Sequence, residues 1–359
     1  MKILDWYILK RYLVTFIMLL VLFVPIGITV NLAEKIDKIL ENEAPLMEVL
    51  EYYLHFTIYF ANLLFPLFLF LSVIWFTSKL ANNTEVVAFL SSGGSFWRFL
   101  RPYIVGATLI CLGALFLGMY IAPWASKGFN EFKYEYLKGG REEARETYNV
   151  YRQINENEYI HASSFSPKNN SAYNFVLEHF EGNEMRFKIE AQRIVYNPEE
   201  KNYTLHDYKK RIVGKDSDSL IHERKLDTVF GFDIDELAPV KYMAETLSYG
   251  ELTDFIELET RRGSGNINIY KVVLYKRWST PVSAYILTII AVAVSSVKRR
   301  GGMGINLAIG IAIAFMFVFF DKVFVTIAEQ STFPSWLAVW IPNIIFGVLA
   351  IFLLQKAKR

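Results

Sequence analysis

Six long apolar segments, divided three and three by one polar region, most constrain what this chain can fold into. Three precede the polar region, at about residues 12–33, 53–77 and 102–123, and three follow it, at about 275–297, 303–327 and 336–354. Each is close to the roughly 20 apolar residues that a helix needs to cross a bilayer. The pattern therefore predicts an integral membrane α-helical protein with six transmembrane helices (3+3) and one inserted extramembrane domain.

The composition agrees with a membrane protein and gives little support to chemistry by the chain alone. Of the 359 residues 53% are hydrophobic, the formal net charge is only +2, and no dense Lys/Arg block suggests a nucleic acid partner. Cys111 is the single cysteine, so a disulfide within the chain or a zinc site built from Cys is excluded. Phosphate-loop, H-E-x-x-H and nucleophile-elbow motifs do not occur, and the five histidines are scattered. We therefore expect no catalytic residue, no metal and no cofactor.

The distribution of basic residues predicts the orientation in the membrane. Basic residues precede the first segment, lie between the second and third and between the fourth and fifth, and follow the sixth. The short loops on the other side carry mainly Glu and Asp. The positive-inside rule then places both termini in the cytoplasm and the polar region on the opposite side of the membrane.

The polar region, residues 124–245, has the pattern of an antiparallel β domain. Alternating or β-branched stretches are separated by turn residues, a spacing that favours a sandwich or jellyroll. The stretches are Tyr173–His179, Met185–Ala191, Gln192–Tyr196 and Tyr203–Tyr208. Residues 246–274 are expected to lead back to the membrane as a helical linker, with a helix over Leu247–Arg261. The N-terminal membrane half is then 1–123 and the C-terminal half 275–359.

The cytoplasmic loop at about residues 84–100 predicts a short surface helix. Thr84 suits an N-cap, and Glu85 suits the positive end of the helix dipole. An apolar patch follows, Gly93 and Gly94 end the helix, and Ser95 starts the next one. The patch is Val86, Val87, Phe89 and Leu90. Such a helix docks into the groove of a partner or serves as a plain interfacial connector, and the pattern leaves both open.

Charged residues cluster near the outer ends of the membrane segments. Asp321 and Lys322 lie within the fifth segment, where charges mark function or simply extend to the headgroups. Five cations are expected at the outer interface, where they would form a basic rim for phosphate groups. They are Lys35, Lys38, Lys276, Arg277 and Lys322.

Six short motifs occur in order along nearly the whole chain. They are Leu4–Asp5–Trp6–Tyr7–Ile8, Glu85 with Ser91, Gly93 and Ser95, Ala122–Pro123, Arg277 with Pro281, Met303–Gly304, and Phe320–Asp321. Together with the 3+3 plan they resemble the LptF/LptG (YjgP/YjgQ) family, the permeases of the ABC exporter that extracts lipopolysaccharide from the bacterial inner membrane. Details around Leu4–Asp5, Met303–Gly304 and Asp321 are more similar to the LptG side of the family.

The resemblance implies a role for each part of the chain. The loop from Glu85 to Gly93 would be the coupling helix that fits a cytoplasmic ABC ATPase dimer, so that this subunit is not itself an enzyme. The β domain would be a periplasmic jellyroll that joins an LptC/LptA-like bridge protein and receives lipopolysaccharide. The first and fifth helices would be lateral gates to a cavity shared with a second, LptF-like permease, with Asn31 and Asp321 as gate residues. Asn31 stands where the family has a basic residue, and Asn83 replaces another before Glu85.

Two other functions remain to be compared with an exporter subunit. A membrane-anchored periplasmic receptor or assembly scaffold would use the β domain to bind a partner and would tolerate charge reversal at Glu85. An intramembrane enzyme would have to use Asp321 and His55, which lie on different helices with no further acid, base or metal set nearby. The sequence favours the exporter, then the receptor or scaffold, then the enzyme.

Overall fold

The computed structural model describes residues 3–138, 148–166, 169–198, 200–214, 217–232, 242–264, 266–298 and 302–357. The chain divides into two compact units. The membrane unit consists of Met1–Phe129 and Asn268–Arg359, and the β unit consists of Asn130–Ile267.

Six helices of the described residues are long and apolar enough to cross a membrane. In the N-terminal half they are α1 (Ile3–Glu41), α2 (Leu46–Asn82) and α4 (Phe96–Phe116), with the short α3 (Glu85–Ser91) before α4. A π-helical turn, Leu117–Ile121, continues α4 into α5 (Ala122–Phe132) and a second π turn, Lys133–Leu137. In the C-terminal half they are α8 (Ile267–Ser295), α9 (Gly302–Gln330) and α10 (Ser335–Ala357). The predicted six-helix class is confirmed, and the helices extend past the apolar segments because helical hydrogen bonding continues in headgroups and water.

α2 is the centre of the membrane unit. Its Leu69 and Val73 are fully buried, and both α1 and α9 pack against it. Glycine permits the closest approaches: a Cβ on Gly310 of α9 would lie 2.1 Å from Ile74 of α2, and one on Gly106 of α4 would lie 2.3 Å from Tyr12 of α1. Small residues serve the same purpose wherever membrane helices pack backbone to backbone.

α1, α4 and α9 are the least covered of the membrane helices, and 17% of the most apolar stretch of Phe96–Leu137, the span that contains α4, is buried. Only 6% of the most apolar stretch of α1 and 22% of that of α9 are buried, against 67% for α8. Polar groups inside the membrane unit hold neighbouring helices together, since a buried polar group needs a partner in an apolar interior. Examples of such interhelical bonds are Thr77–Tyr103 (2.9 Å), Tyr285–Thr108 (2.7 Å) and Ser283–Asn343 (2.7 Å).

The β unit contains a six-stranded antiparallel sheet in which each strand pairs with its neighbours in sequence. The strands are β1 (Tyr148–Asn155), β2 (Glu158–Ser166), β3 (Ser171–Glu181), β4 (Glu184–Asn197), β5 (Asn202–Ile212) and β6 (Ser219–Thr228). The predicted antiparallel domain inserted between the membrane halves is confirmed. Short hairpins connect these six strands in consecutive order, because a short turn can join only adjacent antiparallel strands.

One face of the sheet is apolar and carries the core of the β unit, including Phe175, Ile194 and Leu205. The segment after β6 folds onto this face. Phe230 and Phe232 lie against Phe175 and Tyr203, and the Tyr203 hydroxyl donates a 2.8 Å hydrogen bond to the carbonyl oxygen of Phe232. The aromatic segment therefore covers apolar surface that a single sheet would otherwise expose to water.

Two helices complete the β unit: α6 (Met243–Thr246) and α7 (Tyr249–Arg261). A capping box of Ser248 and Glu251 begins α7, and the hydrogen bonds that Glu251 receives from Ser248 hold the pKa of this carboxyl below its usual value. The helix is fixed to β1, since Gln153 N donates to the carbonyl oxygen of Arg262 at 2.8 Å. The helix that the sequence predicts over Leu247–Arg261 thus packs with the sheet's first strand.

Candidate functional site

The loop helix α3 has two faces with different surroundings. Val86 is 2% exposed, and Phe89 is half-buried, whereas Val87 is 51% and Leu90 36% exposed. Residues three apart lie on one side of a helix, so Val86 and Phe89 face the protein while Val87 and Leu90 face away from it. The four-residue patch predicted from sequence is therefore split between an anchor and an outward apolar surface, with exposed Glu85 at its start.

The anchor connects α3 to α4. The Phe89 ring lies 5.8 Å from the Phe99 ring, centroid to centroid, and Gly94 passes directly beneath Phe89. A Cβ at Gly94 would lie 2.7 Å from the Phe89 ring and 2.8 Å from the Phe89 carbonyl oxygen. Gly93 has a φ of +83°, which ends the helix in the left-handed region as the sequence predicts. α3 is thus packed against α4 through the contact between Phe89 and Phe99 as well as joined to it by a short connection.

The two predicted caps of this loop have different outcomes. Ser95 accepts a hydrogen bond from Arg98 N at 3.3 Å and caps α4, as predicted. The prediction for Thr84 is wrong, because its φ of 63° lies outside the extended conformation that a side-chain N-cap requires. Its hydroxyl donates instead to the Asn83 carbonyl oxygen, and the Asn83 side chain donates to Glu85 at 3.3 Å.

At the other end of the membrane unit, Lys276 of α8 and Asp321 of α9 form an ion pair. Lys276 Nζ donates to Asp321 Oδ2 at 2.8 Å, and the two side chains are 31% and 26% exposed. The sequence assigned Lys276 to the phosphate rim and Asp321 to a gate, and the structure pairs them across 45 residues of chain. The charge of Lys276 is therefore already balanced within the protein.

The other predicted rim and gate residues are distributed over α1, α8 and α9. Lys35 lies 3.8 Å from its neighbour Glu34, Lys38 and Lys322 are exposed, and Arg277 is half-buried. Asn31 accepts a 3.1 Å hydrogen bond from the Tyr52 hydroxyl, so it ties α1 to α2. Asn31 therefore has a structural role in the contact between these two helices.

His55 and Asp321, the pair that an intramembrane enzyme would require, have separate partners. The His55 ring lies 4.5 Å from the Trp124 ring, and the Gly128 backbone approaches it so closely that a Cβ there would overlap it. Asp321 pairs with Lys276. Within the residues that the structure describes, no group of three His, Cys, Asp or Glu side chains is placed to hold a metal ion.

Several buried polar contacts were missed by sequence reasoning. The buried pair of Arg152 in β1 and Glu259 in α7, 3.5 Å apart, is the strongest example in the β unit. Polar residues inside apolar segments gave a usable signal for Ser283 and Asn343, since a polar group in a membrane helix needs a partner. No sequence signal identifies Glu259 among the other acidic residues of α7.

Comparison with known proteins gives one match. The family model described as "Lipopolysaccharide export system permease LptF/LptG" matches residues 6–356, nearly the whole chain and both units. No individual curated protein matches the sequence.

Proposed function

Because this chain belongs to the LptF/LptG family of lipopolysaccharide export system permeases, we propose that it is the membrane subunit through which a separate ATPase drives lipopolysaccharide out of the inner membrane. The chain is a multi-pass inner membrane protein and a non-catalytic transport subunit. Following the basic loops, both termini and α3 face the cytoplasm, and the β unit lies in the periplasm.

The observation that carries the proposal is the two-faced helix α3. Its outward residues Val87 and Leu90, together with Glu85, form a small apolar surface with a negative end that suits a groove in an ABC ATPase dimer. Its inward residue Phe89 contacts Phe99 of α4. Movement of the ATPase would therefore reach the membrane helices through a rigid, packed contact and not through a loose loop.

The uncovered faces of α1 and α9 support a cavity shared with a second permease. Both helices pack on α2, and both expose most of their apolar surface. A lipid with several acyl chains needs a wide apolar cavity, and moving these chains out of the bilayer costs on the order of 0.8 kcal/mol per methylene. In the proposed exporter α1 and α9 are the lateral gates, and a second, LptF-like subunit closes the cavity.

The charged residues near the ends of α1, α8 and α9 support a phosphate rim and one ion pair within the protein. Lys35, Lys38, Arg277 and Lys322 would contact lipopolysaccharide phosphates, which are best bound by cations at the interface. Lys276, being paired with Asp321, would hold α9 against α8 until the pair is broken. Asp321 and Asn31 then act as gate residues by holding α9 to α8 and α1 to α2.

The β unit would receive the lipid and pass it to a periplasmic bridge protein of the LptC/LptA kind. Its sheet has one apolar face, and the segment with Phe230 and Phe232 that covers this face would have to move aside for acyl chains to bind there. The residues Leu4–Asp5, Met303–Gly304 and Asp321 support an LptG-like subunit as the finer part of this proposal.

Copurification tests the proposal directly. The full chain in mild detergent is compared with Glu85→Arg and with Glu41→Arg, which makes the same charge change at an exposed site at the end of α1. We expect the wild type and Glu41→Arg to bring down an ATPase with activity, and Glu85→Arg to lose the ATPase or its stimulation. Size-exclusion profiles confirm that all three are folded. An ATPase absent from every preparation, with normal surface lipopolysaccharide after depletion, would support a receptor or scaffold instead.

A further inference from the structure

A groove with a volume of about 720 Å³ lies on the membrane unit between α4, α8 and α10. Its length is apolar, with Ile104 of α4, Ile289 of α8 and Ala350 of α10 among its walls. One end carries charge, from Arg101 of α4 and Asp5 of α1. The helices proposed as lateral gates of the export cavity, α1 and α9, contribute only Asp5, so the groove is distinct from that path.

The charged end of the groove lies at the start of α4. Trp97 lines it and is exposed, a residue type that concentrates at the membrane interface. α4 begins just after the loop helix α3, so the charged end is on the same side of the membrane as α3. The groove therefore runs from the headgroup level of that leaflet into the hydrocarbon region.

We propose that this groove binds a zwitterionic glycerophospholipid with a primary amine, of the phosphatidylethanolamine class. One acyl chain lies along the apolar walls, the phosphate contacts Arg101, and the ammonium group faces Asp5. The volume is within the roughly 300–1,000 Å³ typical of small-molecule sites. Basic pockets between membrane helices on the cytoplasmic side are known places for lipid headgroups.

The charges distinguish this lipid from an anionic one. Arg101 is exposed, and the described part of the chain places no carboxylate within ion-pairing distance of it. A cation that is not paired internally is available to a phosphate. Asp5, which also has a contact within the protein, adds a carboxylate at the same end that repels a headgroup with net negative charge and attracts an amine. A zwitterion matches both signs, whereas an anionic lipid matches only one.

The proposal is tested on the full chain in detergent by thermal unfolding and native mass spectrometry with added lipid. The probes are phosphatidylethanolamine and phosphatidylglycerol with the same acyl chains. The variants are Arg101→Gln, Asp5→Asn and, as a matched control, Lys79→Gln, since Lys79 is an exposed base near the end of α2 outside the groove. These readouts involve neither lipopolysaccharide nor ATPase, so they are independent of the exporter proposal.

We expect phosphatidylethanolamine to raise the unfolding temperature more than phosphatidylglycerol does and to remain bound in the mass spectrum. Arg101→Gln should weaken its apparent affinity about tenfold, as loss of a charge-assisted hydrogen bond does, and Lys79→Gln should not. Asp5→Asn should remove the preference between the two lipids. Equal effects of Arg101→Gln and Lys79→Gln, an unchanged preference in Asp5→Asn, or a protein helix found in the groove would overturn the proposal. An Ala350→Phe variant, which narrows the groove without touching its charges, should also weaken binding.

Discussion

Lys276 of α8 donates a 2.8 Å hydrogen bond to Asp321 of α9 and so joins the best covered membrane helix to one of the least covered. The two helices differ in how much of their surface is buried. α8 is fixed by buried contacts, whereas α9 exposes most of its apolar face. This polar contact is therefore a natural place to control the position of α9.

Removing either partner of this pair should destabilise the protein more than removing both. Lys276→Met or Asp321→Asn leaves the other group without its partner, and polar contacts between membrane helices contribute about 0.6–2 kcal/mol. We expect each single variant to lower the free energy of unfolding by that amount and the double variant to lower it by less than either single variant does, because the double variant leaves no charge without its partner. Thermal unfolding in detergent measures these changes in the free energy of unfolding.

Lys322→Met is the control for that cycle, because Lys322 is exposed on the same turn of α9. The change in the free energy of unfolding caused by Lys322→Met should stay within about 0.5 kcal/mol. Additive single and double effects would mean that the pair contributes no coupling and that α9 is held to α8 by packing alone.

Gly94→Ala should disturb the loop helix without unfolding the membrane unit. The added Cβ would lie 2.7 Å from the Phe89 ring, so the ring has to move away from its contact with Phe99. We expect a reduced stimulation of the copurified ATPase at nearly unchanged unfolding temperature. Gly113→Ala in α4 is the matched control, since nothing lies within 4 Å of the new Cβ and alanine favours the helix. Equal ATPase stimulation in both variants would exclude Gly94 from coupling.

The membrane helices could be predicted from the sequence because the bilayer imposes their length and polarity. The loop helix and the cap at Ser95 were predictable for a similar reason, since capping chemistry is local. The left-handed backbone conformation of Thr84, which prevents it from capping α3, was not predictable, because it is set by the connection from α2. The Lys276–Asp321 pair was also missed, since two residues 45 positions apart carry no local signal of their contact.

In the β unit, two strands could not be predicted correctly from their sequence pattern. β4 reads as two strands, because the buried face shifts between Ala191 and Ile194 and breaks the alternation. β6 was not predicted because nearly all its residues are exposed, so it has no apolar period. The turn residues between the strands are visible in the sequence, but the same turns fit other topologies. The consecutive strand order could therefore not be predicted.

The buried pair of Arg152 and Glu259 should be essential to the attachment of α7 to β1. The two side chains are only 1% and 2% exposed, 3.5 Å apart, and Arg262 lies 3.8 Å from the same carboxylate. Glu259→Gln leaves buried positive charge without its counterion, a change that costs about 3–5 kcal/mol for a buried pair. Hydrogen exchange in β1 and α7 of the full chain should rise by several orders of magnitude. Glu257→Gln, at an exposed site on the same helix, should leave exchange unchanged.

Tyr203→Phe should loosen the aromatic segment that covers the sheet while leaving the strands in place. The change removes the 2.8 Å hydrogen bond to the Phe232 carbonyl oxygen and keeps the ring contacts with Phe230 and Phe232. Loss of one buried hydrogen bond costs about 1–3 kcal/mol when its partner is left unsatisfied. Hydrogen exchange should therefore increase at residues 229–232 but not in β3 or β4. Tyr159→Phe, an exposed tyrosine of β2, is the control. Faster exchange throughout the sheet would show instead that Tyr203 holds the whole β core and that the segment has no separate mobility.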